Sequence, residues 1–145
     1  MKKIGEYTVR GRVAADTDSY RILLDDGRFD TGYKVVNFIV APGDPNSSGQ
    51  DLNAKLTTEP TTSLGWAWGN NLQIAWAASE NRVTSSPVFG RSIVDPDNMV
   101  IQDIFLQCQN PGSGDVNYMI MLHKYDLTDS QGALAMVRNK SQGAD

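Results

Sequence analysis

Hydrophobic and polar residues alternate with a period of two along several short stretches of this chain, the pattern of half-buried β-strands. Over residues 6–13, Tyr7, Val9, Gly11 and Val13 interleave with Glu6, Thr8, Arg10 and Arg12, giving one covered and one solvated face. A polar turn at Asp16, Thr17 and Asp18 leads to a second strand over 20–24, and Asp26-Gly27 supplies the next reversal. These read as successive antiparallel strands. Residues 33–40 (YKVVNFIV) are β-branched and aromatic and are stopped by Pro42 and Gly43, so they form a central strand. Leu52, Ala54 and Leu56 mark a weaker one. In 99–107, Val100, Ile104, Leu106 and Cys108 fall on one face and Met99, Ile101 and Phe105 on the other. The turn NPGSGD at 110–115 then predicts that 117–125 returns as the antiparallel partner of this strand.

All three tryptophans lie in residues 64–78, LGWAWGNNLQIAWAA, around the turn formers Gly69, Asn70 and Asn71. The stretch predicts a β-hairpin. With a two-residue loop, parity places Trp66, Trp68, Gln73 and Ala75 on one face and Gly65, Ala67, Leu72, Ile74 and Trp76 on the other. The second face is apolar and is assigned to the core. The first carries two indoles beside an amide, the composition of a contact surface. Residues 79–91, with Pro87 and Gly90, read as a long loop.

Near the end the period changes. Thr128 and Gln131 form a capping-box pattern, and Leu127, Leu134 and Val137 recur at helical spacing, predicting one short helix over about 128–140. Gly132 costs this helix up to about 1 kcal/mol relative to Ala, so it needs packing or a partner to persist. The chain therefore reads as a single domain over 1–145, an all-β antiparallel sandwich, jelly-roll-like, with one short C-terminal helix. Spacing alone does not give the strand order.

Composition removes several function classes. A net charge of −4 without a basic run argues against nucleic acid as a partner. The N-terminal residues lack the apolar core of a secretory signal, and the apolar runs are shorter than a membrane span, so the expectation is synthesis in the cytoplasm and no membrane partner. Cys108 is the only cysteine and cannot form an internal disulfide; its strand position predicts a buried thiol. His123 is the only histidine, which rules out a two-histidine metal set, and the pairs Asp16/Asp18 and Asp95/Asp97 lack the spacing of an oxygen-ligand loop. They read as turn residues. No metal or cofactor is expected. A serine nucleophile would have only His123 as base and no G-x-S-x-G elbow beside it, so no catalytic residue is assigned.

Four stretches, TGYKVVNFIVAPGD, LGWAWGNNLQIAWA, VDPDNMVIQDIFLQC and NYMIMLHKYDLTDSQGALAMVRNKSQ, resemble in their order small jelly-roll-like virion structural proteins of marine tailed bacteriophages. The resemblance implies a non-enzymatic subunit located in the virion, a capsid decoration or cement protein that binds and stabilises the phage head. It implies the major capsid protein or other virion proteins as partners, and self-association into a homo-oligomer, with a trimer as the expected form. Trp66, Trp68, Gln73, Leu134 and Val137 are the candidate interface residues. Two alternatives stand beside it: a tail or head-tail connector component, and a carbohydrate-binding sandwich that stacks sugar on Trp66 and Trp68.

Overall fold

In the computed structural model, residues 2–24, 27–28, 30–44, 50–80 and 89–128 are described. They form eight strands: β1 (Lys2–Val13), β2 (Tyr20–Ile22), β3 (Thr31–Pro42), β4 (Leu52–Thr57), β5 (Gln73–Glu80), β6 (Phe89–Val94), β7 (Ile104–Gln109) and β8 (Val116–Asp126). The fold is all-β and built from two antiparallel sheets, as the alternation predicts. One sheet has the order β1-β8-β3, the other β2-β7-β4-β5-β6. Apart from Thr128, the expected helix, with Leu134 and Val137, lies outside the described residues.

The pairing is nested. β1 pairs with β8, β2 with β7 and β4 with β5, while β3 meets β6 side by side, where the Ser92 hydroxyl donates to Asn37 Oδ1 at 3.0 Å. A chain folded back on itself in this way and wrapped into two sheets is a jelly roll. The expected hairpin of 117–125 with the preceding strand is not formed: β8 pairs with β1 and β3. The 110–115 turn instead carries the chain from one sheet to the other. Likewise β1 and β2 are not partners but belong to different sheets.

The core lies between the sheets. Val35, Phe38 and Val40 of β3 and Val116, Tyr118, Ile120 and Leu122 of β8 face Ala54 and Leu56 of β4, Ala75 and Ala77 of β5, and Ile104, Leu106 and Cys108 of β7. Large residues on the small sheet meet alanines on the large one, which lets the layers approach without voids. Each fully buried Leu, Ile or Phe contributes about 1.5–3 kcal/mol of transfer free energy. Val100, Ile104, Leu106 and Cys108 share the core face as predicted, while Met99 and Ile101 pack separately with Leu127 and Tyr125. Burial pushes the Cys108 thiol up from its ordinary value. Gly11 is where the Tyr118 ring crosses β1: a Cβ there would lie 2.6 Å from the phenol oxygen.

The outer edge of β3 is covered by residues 95–100. Tyr33 and Val100 exchange two backbone hydrogen bonds of 2.7 Å. Two residues further on, where a bulge at Val36 breaks the ladder, Asn98 takes the place of a strand: its Oδ1 accepts from Val35 N at 2.8 Å and its Nδ2 donates to Val35 O at 2.9 Å. Val35 is wholly buried and Asn98 is 5% exposed. An amide with one acceptor and two donors can satisfy both backbone groups and still reach Asp95 O, at 2.7 Å. We expect Asn98→Ala to lower stability by about 1–3 kcal/mol for each buried group left unpaired. Urea titration with an unchanged m-value checks this; a loss under about 0.5 kcal/mol, the range of ordinary surface substitutions, would mean the clasp is not needed.

Candidate functional site

The ladders of the five-stranded sheet set what lies on its outer face. Alternation puts Leu52, Ala54 and Leu56 of β4 inward, so Asn53, Lys55 and Thr57 point outward, opposite Gln109, Gln107 and Phe105 of β7. On the other side, Lys55 is opposite Trp76 of β5, which in turn is opposite Ile93 of β6. An outward lysine on such a strand is ordinarily solvated. Here Lys55 and Gln107 are 0% and 1% exposed, because residues 58–72 fold over this face as a cap.

The predicted hairpin over 64–78 is therefore absent. Its second half is β5, but both edges of β5 are occupied by β4 and β6, which leaves no ladder for residues 64–69. Parity also fails. The β4–β5 register jumps from Leu56↔Ala75 to Thr57↔Gln73, a bulge that inserts Ile74. As a result Gln73 shares the outer face with Trp76, while Ile74, Ala75 and Ala77 join the core. Trp76 is buried as expected, but beneath the cap and not between the sheets. Gln73, one of the candidate interface residues, is only 6% exposed.

Gln73 instead anchors the cap. Its Oε1 accepts from Trp76 Nε1 at 2.9 Å and from Ala67 N at 2.8 Å. A turn follows, with Asn70 N donating to Ala67 O at 3.0 Å and Gln73 N to Asn70 O at 3.1 Å; Asn70 Oδ1 accepts from Leu72 N at 2.9 Å. At the other end, the Thr57 hydroxyl donates to Glu59 O at 2.7 Å and accepts from Gln107 Nε2 at 3.0 Å. Thr61 is tied to Ser19 by two bonds, of 2.9 and 3.2 Å. In the middle, Lys55 Nζ donates to Gly65 O at 2.6 Å. Desolvation holds the Lys55 ammonium below its ordinary value of 10.5.

Two tryptophans remain at the surface of this cap. Trp68 is 65% exposed, and its ring packs edge-on against Trp76 with centroids 6.1 Å apart. Trp66 is 37% exposed and lines a cavity of about 290 Å³ with Leu64, Gly65, Asn53 and Gln109. Asn53 and Gln109 are direct cross-strand neighbours on β4 and β7. The structure thus separates the two exposed indoles: one borders a pocket, the other stands on a buried partner. Asn53, Lys55 and Gln109 were not distinguishable in sequence, since an outward residue on a polar-alternating strand gives no sign that a distant loop will cover it.

The remaining candidates have structural roles. Asp16 Oδ1 accepts from Asn110 N at 3.2 Å and Asp95 Oδ1 from Asp97 N at 3.0 Å, the turn roles expected of both. His123 Nε2 lies 3.5 Å from Glu6 on the outer face of the small sheet. Among the described residues, no three His, Cys, Asp or Glu side chains gather as a metal site.

No family model matches the chain, and no curated protein matches it. It is similar to a chain of a solved structure described as "Bacillus endospore appendages form a novel family of disulfide-linked pili", at 13% identity over 88% of this chain and 93% of that one. The TM-score of 0.34 is too low to carry an argument about fold or role.

A graded tryptophan series tests the cap. Trp76→Ala should cost about 3–5 kcal/mol, Trp68→Ala about 0.5–1.5 kcal/mol through the lost ring pair, and Trp66→Ala less than about 0.5 kcal/mol. Equal losses in thermal melts would contradict the arrangement. A second test concerns pH. Because the folded Lys55 value is depressed, the unfolded chain binds more protons between the two values, so this group adds stability as pH rises toward 10.5. Tyr118 acts oppositely: it is pushed up to about 12 by burial and by Tyr20, so stability is lost above its unfolded value of 10.0. The difference between the wild type and Lys55→Met isolates the lysine. That difference should move in favour of the wild type as pH is raised from 7 to 10, and a pH-independent difference would mean the ammonium is not desolvated.

Proposed function

We propose that this protein is a non-enzymatic structural subunit of a phage virion, a decoration protein that binds and stabilises the head and contacts its partner through the tryptophan cap. The observation that supports the contact role is Trp68. A large indole, two thirds exposed, sits on a ring partner that is itself hydrogen-bonded and buried. Such a side chain loses little freedom on binding and offers a wide apolar face, which is why tryptophan is enriched among residues that dominate protein interfaces. Gln73 and Lys55 fix the surrounding backbone from below, so the surface is organised before a partner arrives.

The virion setting rests on the resemblance of the chain to phage structural proteins. Self-association is part of the same reading. Ile39 and Met119, cross-strand neighbours on the outer face of the small sheet, give an apolar strip near the exposed Val36, suited to a second copy.

Co-sedimentation with heads assembled from the major capsid protein of the same genome tests the proposal. The wild type should saturate the heads, and Trp68→Ala should bind roughly tenfold or more weakly while remaining folded. Association with purified tails and not with heads would move the assignment to the tail alternative. Binding to neither, with a monomer in native mass spectrometry, would sink it.

A further inference from the structure

The Trp66 pocket is a different surface from the one formed by Trp68, and its chemistry is distinct. We infer that the pocket between Trp66, Asn53 and Gln109 binds a neutral saccharide. The argument starts from pairing. Asn53 and Gln109 face each other across the β4–β7 ladder and point to the same side. Side chains so placed have Cβ atoms about 4.5–5.5 Å apart. Among the described residues, the side-chain amides of Asn53 and Gln109 and the indole N–H of Trp66 have no hydrogen-bond partner. Together the two amides present two carbonyl acceptors and four N–H donors. A ligand that uses both kinds at once must carry groups that donate and accept, and hydroxyls do.

The rest of the lining selects further. Leu64 and the half-covered Trp66 ring give an apolar wall, against which the C–H face of a pyranose can lie. Among the described residues, no charged side chain lines the cavity. The nearest cation by register, Lys55, is fully buried and donates to Gly65 O, so its ammonium is turned into the cap. An anionic ligand such as a nucleotide would therefore lack a counter-charge, and a purely apolar ligand would leave both amides unpaired. The volume of about 290 Å³ lies just below the range of ligand sites, which run from about 300 Å³ upward. It suits one or two sugar rings of a longer chain. The lysine bond to Gly65 O has a role here too, since it pins the backbone next to Trp66 and holds the indole at the pocket rim.

Affinity electrophoresis of the full chain through gels carrying dextran, mannan, xylan, galactan or polygalacturonate tests this, followed by fluorescence titration with the disaccharides of any retaining polymer. The expected result is retardation by at least one neutral polymer, with binding weakened roughly tenfold or more in Trp66→Ala and in the double variant Asn53→Ala, Gln109→Ala. Trp68→Ala should bind sugar as the wild type does, which separates this site from the head contact. Circular dichroism and melting temperature confirm that each variant is folded. Retardation by polygalacturonate alone, by no polymer, or equally in the wild type and Trp66→Ala would overturn the inference.

Discussion

The fold depends on β8 being paired on both edges. β1 lies along one side of it and β3 along the other, and among the described residues the small sheet has no other ladder. One of these partners, β1, comes from the far end of the described chain: Val13 faces Val116, and Lys2 faces Asp126. A loop of that length has to close before the pair is formed, and the free-energy cost of closure comes before any contact offsets it. The large sheet is less demanding, because β4, β5 and β6 pair in sequence. The physical expectation is that the β4–β5–β6 meander can form early and that the small sheet is completed only when β8 docks against the alanines of β4 and β5.

The second dependency is the polar layer on the outside of the large sheet. A buried lysine with one carbonyl partner is costly in isolation. It persists because the cap that buries it is also held by Gln73, Thr57 and Gln107, so that removing one bond leaves the rest in register. This layer separates the protein into a hydrophobic interior, which gives stability, and a hydrogen-bonded lid, which gives a fixed surface. Both exposed tryptophans are mounted on the lid.

What could be read from the sequence follows this division. Alternation located β1, β3, β4 and β8, and the core face of β7 was legible because its residues meet the core through unbroken period-two spacing. The β7–β8 hairpin was not, since a strong turn signals a reversal without saying which sheet receives the chain. β6 was hidden because its Gly90, Arg91 and Ser92 are exposed at an edge and carry no apolar alternation. The tryptophan stretch misled for two reasons. A single bulged residue, Ile74, inverts parity, and propensity for a hairpin means nothing when both edges of the second strand are already taken. The pocket was beyond reach of the sequence: Asn53 and Gln109 are neighbours only through a pairing between distant strands.

Lys55 also gives the lid a means of being observed. Reagents that acylate amines attack the neutral, accessible form, so surface lysines react at once, whereas this one reacts only in molecules whose lid has lifted. Its labelling rate thus counts local openings that leave the interior sheets intact. The same event rehydrates the ammonium and restores its ordinary affinity for protons. In alkaline solution lid opening is therefore accompanied by proton uptake, the opposite sense to the proton release that Tyr118 gives when the core is exposed.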